Sequence, residues 1–141
     1  ISVNDAKLSD LEKYDRIIFG ISTVGKETWD SNYSNTDWSK FFPNISKVEF
    51  SGKTVAIFGL GDHITYSCYF VNAMGMLAKD LLKNGATIVG KVDPSGYEFD
   101  ESEAIFDGMF IGLPIDEDFE SELTDERIAN WITSIKPAFG L

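Results

Sequence analysis

Apolar and polar positions along this chain follow two periods, and the switches between them mark its elements. From Lys53 to Leu60 a short, β-branched apolar run stops abruptly at Gly59 and Gly61, the pattern of a buried strand ending in a tight turn. Arg16–Ile21 repeats that pattern, and Ala86–Gly90 is a third short apolar strand. Between these runs the period becomes helical. Phe70, Val71, Met74, Leu77, Ala78, Leu81 and Leu82 recur three and four apart as core positions, and Asn84-Gly85 supplies a C-terminal stop. Leu8–Tyr14 reads as a short helix or turn feeding the Arg16 strand. Asp37 is placed to cap a helix carrying Trp38, Phe41 and Phe42, which Pro43 ends. Tyr97–Phe99 reads as a small extra strand after the Asp93–Gly96 turn, and Phe110–Ile115 as apolar chain that completes the sheet. Thr124 is placed to cap a last helix, with Asp125 and Glu126 in its first turn and Ile128, Trp131, Ile132 and Ile135 as its buried stripe. Pro137 ends it.

Strands alternating with helices predict an α/β fold with an open parallel sheet and helices on both faces. At 141 residues the chain is expected to form one domain, spanning 1–141, able to bury its core without disulfides. No internal repeat interrupts the pattern. The stretch from Lys26 to Thr36 is polar, with Trp29 and Tyr33 embedded. Long loops of that kind inside compact domains are usually functional.

Charge narrows the partners. With 23 acidic against 12 basic residues the formal net charge is −11, which argues against nucleic acid and anionic membrane as partners. It favours basic protein surfaces, or serves solubility alone. No apolar run approaches membrane-spanning length. The single cysteine, Cys68, excludes an internal disulfide and any multi-cysteine metal site. The single histidine, His63, has no partner cluster for a metal and reads as a plain loop residue.

Candidate chemistry gathers after the Lys53 strand. Gly59 and Gly61 let the backbone turn sharply and bring its amides close to a ligand, and Asp62 and Tyr66 follow on a polar loop. Open α/β sheets bind their ligands outside the carboxyl ends of strands. Gly59-Leu60-Gly61-Asp62 followed by an aromatic at Tyr66 resembles the second flavin-binding loop of the flavodoxins. The resemblance extends, in order, over Gly20 to Thr23, Gly52–Asp62, Asp93–Phe99, Asp116–Asp118, Leu123–Ile128 and Trp131. The segment between Gly90 and Phe110 looks like the insertion that marks long-chain members. The extended loop after Thr23, with Val24 where a flavin-stacking tryptophan commonly sits, looks like the flavodoxins of nitrogen fixation. Cys68 and Tyr69 depart from the family's usual pair after the loop aromatic.

The resemblance implies FMN as cofactor, no metal, and single-electron transfer between redox proteins rather than catalysis. By resemblance Thr23, Val24, Gly25, Gly59, Leu60, Gly61, Asp62, Tyr66 and Asp118 form the cofactor site. Tyr66 would stack on one ring face, and Val24 or Trp29 would cover the other. Thr23 and Asp118 would lie on the ribityl or phosphate side, although Asp118 reads equally well as part of a solvated acidic loop. Amides around Leu60–Asp62 would hold the pyrimidine edge. A neighbouring carboxylate at 4 Å would disfavour added negative charge by about 4 kcal/mol at an effective dielectric of 20, lowering the potential. The implied partners are basic faces of reductases and low-potential acceptors, met by a cytoplasmic monomer. Flavodoxins begin with a strand, a phosphate-binding loop and a helix that have no counterpart here. The chain is therefore expected to belong to a longer polypeptide, and by itself to bind FMN poorly and associate through an open sheet edge. Two other classes share the topology. A flavin-free interaction module would keep the scaffold without the phosphate loop. A phosphoacceptor receiver would need acidic strand ends, and the strand ends here carry Gly, Ser and Thr instead.

Overall fold

The computed structural model describes residues 1–22 and 36–141. In chain order the elements are α1 (Leu8–Lys13), β1 (Arg16–Ile21), α2 (Asp37–Phe41), β2 (Thr54–Leu60), α3 (Asn72–Lys83), β3 (Thr87–Val89), β4 (Ile105–Phe106), β5 (Met109–Phe110), β6 (Leu113–Ile115) and α4 (Ser121–Ile135). Short 3-10 turns follow α2 (Phe42–Lys47), β3 (Pro94–Gly96) and α4 (Lys136–Phe139).

β2 is the axis of the sheet. β1 runs parallel to it along its full length, from Arg16 opposite Thr54 to Ile21 opposite Gly59. With that edge taken, β3 and β6 follow one another along the other edge, both parallel to β2. β3 pairs with Thr54–Ala56 and β6 with Phe58–Leu60. Between them the chain leaves the sheet, forms the antiparallel β4–β5 hairpin and returns. Asp107 and Gly108, at φ 53° and 80°, make the hairpin turn, where two left-handed residues match the strand twist.

Successive β2 side chains face opposite ways and found two cores. Val55 and Ile57 join Ile21, Phe50, Leu77 and Leu81 under α3, all essentially fully buried. Ala56 and Phe58 meet Leu113, Ile115, Trp131 and Ile135 under α4. Helices therefore cover both faces. Trp131 does more than fill space, since its Nε1 donates to the Gly90 carbonyl at 2.8 Å and ties α4 to the exit of β3.

Several local expectations are corrected. Thr36, not Asp37, caps α2, its hydroxyl accepting from Ser39 N at 3.0 Å, and the turn runs on through Pro43 as 3-10 helix. Phe70 is buried but lies before α3, which Val71 enters in the left-handed region. Leu82 is 42% exposed and Ile128 38%, so each drops out of its helix's buried stripe. Tyr97–Phe99 forms no strand; those rings pack against Phe70 and Phe110 instead. The apolar run at 110–115 divides, with Phe110 in the hairpin and Leu113–Ile115 in the main sheet. Thr124 lies inside α4 rather than at its cap, because the helix starts a turn earlier at Ser121.

Candidate functional site

β2 ends at Leu60, and the chain crosses directly over the carboxyl end of β6. Gly61 N donates to the Ile115 carbonyl at 2.9 Å, extending the pairing one step beyond the ladder. A side chain at Gly61 would sit 2.9 Å from Val71 Cγ1 and 3.2 Å from the Phe70 ring, so a backbone this close demands glycine. Asp62 then closes the turn on itself. Its Oδ1 accepts from Ile64 N (2.9 Å) and Thr65 N (2.7 Å), and its carbonyl accepts from Tyr66 N (3.2 Å). The Asp62 amide itself has no hydrogen-bond partner among the described residues.

The loop is buttressed from behind by the chain before β4. The Ser67 carbonyl accepts from the amides of Asp100 and Glu101, each at 2.9 Å, and Ser67 Oγ donates to Asp100 Oδ2 at 2.6 Å. Ser102 Oγ donates to the Phe70 carbonyl at 2.6 Å, and Glu103 N donates to Asn72 Oδ1 at 2.8 Å. The loop then enters α3 through Val71 at φ 48°, a left-handed setting that a β-branched residue adopts only under strain. Packing over-determines it, since Val71 is 4% exposed and touches the space that Gly59 and Gly61 leave open.

A second loop, from Asp116 to Glu120, faces the first. Asp116 follows β6 and is fully buried. Its Oδ1 accepts from the amides of Asp118 and Phe119, each at 2.9 Å. Its Oδ2 accepts from His63 N at 3.0 Å and contacts His63 Nδ1. Burial by itself pushes this carboxyl up. The hydrogen bonds from the His63 amide and ring, and from the Phe119 and Asp118 amides, outweigh it and hold the carboxyl below the usual range. The His63 ring is flanked edge-on by Phe70 (6.4 Å between centroids) and Phe119 (6.1 Å).

Of the sequence-predicted residues, Gly59 and Leu60 end β2, opposite Pro114 and Ile115. Gly61, Asp62 and Tyr66 lie together on the loop, each half-buried. Asp118 is exposed on the facing loop, its amide held by Asp116. Thr23, Val24, Gly25, Trp29 and Tyr33 lie outside the described residues. Leu60, Ile64, Tyr69 and Phe119 are exposed apolar side chains on or beside the two loops, among the carboxylates of Asp62, Asp100, Glu117 and Asp118. Sequence reasoning missed His63 and Asp116 as a pair. The available signals were an aspartate directly after an apolar strand and the chain's sole histidine on the loop opposite. Among the described residues no group of His, Cys, Asp and Glu is arranged to hold a metal ion, and no helix is long and apolar enough to cross a membrane.

A groove of about 580 Å³ runs elsewhere, beside the edge of β1 that faces away from β2. Its lining includes Val3, Leu11, Ile18, Trp38, Phe41 and Phe58. Ile18, in mid-strand, is left 43% exposed there.

A parallel sheet covered on both faces, with two clasped loops at the carboxyl ends of adjacent strands, defines an α/β ligand-binding protein of the doubly wound type. The sequence model of the flavodoxin family matches residues 1–131, and the chain belongs to that family. It is 40% identical over 139 residues to the flavodoxin of a Picosynechococcus species, spanning 99% of this chain and 79% of that one. To flavodoxin 1 of Escherichia coli it is 42% identical over 127 residues, spanning 89% and 69%. Among solved structures, Fusobacterium nucleatum flavodoxin bound to flavin mononucleotide superposes with a TM-score of 0.85 at 28% identity, covering 96% of this chain and 78% of that one.

Proposed function

We propose that this chain forms a single domain carrying the ring-binding part of an FMN-dependent, low-potential electron carrier. The observation that bears most weight is the loop from Gly59 to Tyr66. It is fastened at the carboxyl end of the central strand and has one amide, that of Asp62, without a partner among the described residues. The donor set fits a flavin. Gly61 lets the loop backbone pack directly on Val71 and Phe70, Asp62 N–H is a donor for a pyrimidine carbonyl, and Tyr66 supplies a planar wall. FMN, when bound, supplies a ring that takes up and returns single electrons.

The chain's own groups would bind and orient that ring and set its surroundings. Asp62 keeps its Oδ1 turned into its own loop, so the loop holds its shape without a ligand. Carboxylates at Asp62, Glu117 and Asp118 surround the site with negative charge, which disfavours a further negative charge on the ring and favours a low potential. Leu60, Ile64, Tyr69 and Phe119 offer an apolar centre within that acidic rim. This supports docking on apolar, basic-rimmed faces of redox proteins.

The finer assignment to the long-chain type draws support from the 90–112 segment, which separates β3 from β6 along one edge of β2. For the phosphate end, we propose that the edge of β1 left unpaired among the described residues receives one further parallel strand, whose following loop and helix bring amides to the phosphate. The apolar groove beside that edge and the greater length of the relatives support this.

Replacing Tyr66 with alanine in the natural polypeptide tests the ring-loop reading. Loss of one aromatic face should cost about 0.5–1.5 kcal/mol beyond the area it buries, weakening FMN by roughly 2- to 12-fold or more, and should shift the flavin potentials. Unchanged affinity together with unchanged potentials would show that the ring binds elsewhere.

A further inference from the structure

Val71 holds a left-handed backbone where glycine or asparagine would sit without strain. The chain on either side of it is pinned by the segment before β4. Phe70 N donates to the Glu101 carbonyl at 3.3 Å, and the Phe70 carbonyl accepts from Ser102 Oγ at 2.6 Å. Asn72 Oδ1 accepts from Glu103 N at 2.8 Å, and the Val71 carbonyl accepts from Met74 N at 3.0 Å. Held in this way, the valine side chain lies against both glycines at the other end of the loop. A Cβ built on Gly59 falls 3.5 Å from Val71 Cβ, and one built on Gly61 falls 2.9 Å from Val71 Cγ1. The exit of the loop therefore bears on its entry. Gly61 is fixed on its amide side by the Ile115 carbonyl, at 2.9 Å. On its carbonyl side comes the planar peptide that carries the unpartnered Asp62 N–H, so the placing of Gly61 on Val71 decides where that N–H points.

We propose that Val71 is a positioning residue for the cofactor site, a wedge whose γ carbons set the place of Gly61 and so aim the Asp62 amide at the pyrimidine edge of the flavin. This rests on the reading that the loop from Gly59 to Tyr66 faces the flavin. Backbone strain that the surroundings over-determine gathers at ligand sites, where it serves pre-organisation. Here a strained residue is kept because its side chain, not its backbone, is what the loop needs. Glycine would relieve the strain and lose the wedge. With the donor already aimed, the loop has little ordering left to undergo when the flavin arrives. Ser102 and Asn72 act through Val71, by holding its neighbours so that it stays left-handed.

FMN titration and flavin potentials of the natural polypeptide test the wedge. Val71→Ala removes both γ carbons and keeps the left-handed strain, whereas Val71→Gly removes both. Each should weaken FMN about fivefold, the worth of one neutral hydrogen bond, and shift the potentials in the same direction. Gly61→Ala should weaken FMN too, because its methyl meets Val71 Cγ1. Gly61 lies outside the left-handed region, so alanine brings crowding there rather than backbone strain. Gly61→Ala combined with Val71→Ala should bind FMN more tightly than Gly61→Ala alone, the new methyl filling the space the γ carbons leave. Losses that simply add in the double variant, or a Val71→Ala protein with unaltered affinity and potentials, would overturn the proposal. So would potentials moved by Val71→Gly and not by Val71→Ala, since backbone conformation would then be the cause. Without flavin, exchange of the Gly61 amide should quicken about fivefold in Val71→Ala as its bond to Ile115 loosens, and unchanged exchange would count against the wedge. If exchange quickens but neither Val71→Ala nor Tyr66→Ala alters FMN binding, the ring-loop reading falls and the proposal with it. If Tyr66→Ala alters binding and Val71→Ala does not, the wedge alone falls.

Discussion

Replacing Gly75 with alanine sets two physical effects of opposite sign against each other. Gly75 lies in the first turn of α3, where the helix crosses the chain leading into β4. A Cβ built there falls 2.5 Å from the Glu103 carbonyl carbon and 2.7 Å from Ala104 N, against the 3.4 Å at which ordinary contact begins. Both neighbours are backbone, and Ala104 is fully buried, so neither can swing aside as a long side chain would. Overpacking of this kind costs about 1–3 kcal/mol. Lifting the segment also strains the bond from Glu103 N to Asn72 Oδ1, worth about 1 kcal/mol more. On the other side, alanine is a better helix former than glycine by about 1 kcal/mol. Crowding wins, and Gly75→Ala should lose about 1–3 kcal/mol in urea unfolding, with Tm falling roughly 2–4 °C for each. Gly96→Ala is the control, since a Cβ there meets nothing within 4 Å. A Gly75→Ala chain as stable as the unaltered one, or stabilised as helix propensity alone would have it, would refute the close crossing.

Two further outcomes follow from the site's surroundings. Burial pushes the Tyr97 phenol up to about 12, with the Arg127 guanidinium (4.1 Å from the ring centroid) opposing and Glu120 adding to the shift. Its protonated form therefore contributes stability that is fully present below about 10, the unfolded value, and is lost as pH rises through about 12. The phenolate absorbance removed by Tyr97→Phe should emerge only near the upper figure, and emergence near 10 would contradict the burial. Docking through the acidic rim should weaken with salt, since the Debye length falls from about 10 Å at 0.1 M to 3 Å at 1 M. Electron-transfer rates to a basic partner that stay flat across that range would remove the electrostatic part of the partner assignment.

The bounds of β1 and the existence of β2, β3, α3 and α4 were legible in the sequence because each rests on a local period. The turn at Gly59 and Gly61 was legible for a similar reason: glycines at a strand end let the backbone approach its neighbours closely, here Val71, Met74 and Phe70. Local signals misled where two candidates for one role sat within a few residues. Thr36 displaced Asp37 as a cap, and α4 began at Ser121 rather than after Thr124, since capping depends on the angle at which the chain enters the helix. Periodicity likewise could not tell that Leu82 and Ile128 face water, because a helix's apolar stripe is trimmed by the width of what it packs against. The division of the 110–115 run between two sheets was a matter of tertiary pairing, as was the landing of Tyr97 on Phe70 rather than in a strand. His63 and Asp116 lie 53 positions apart and carry no shared pattern. Only the side-by-side pairing of β2 and β6 brings their loops together. Local order follows from which residues neighbour each other along the chain, whereas a buried charge finds its partner only once the sheet has aligned the strand ends.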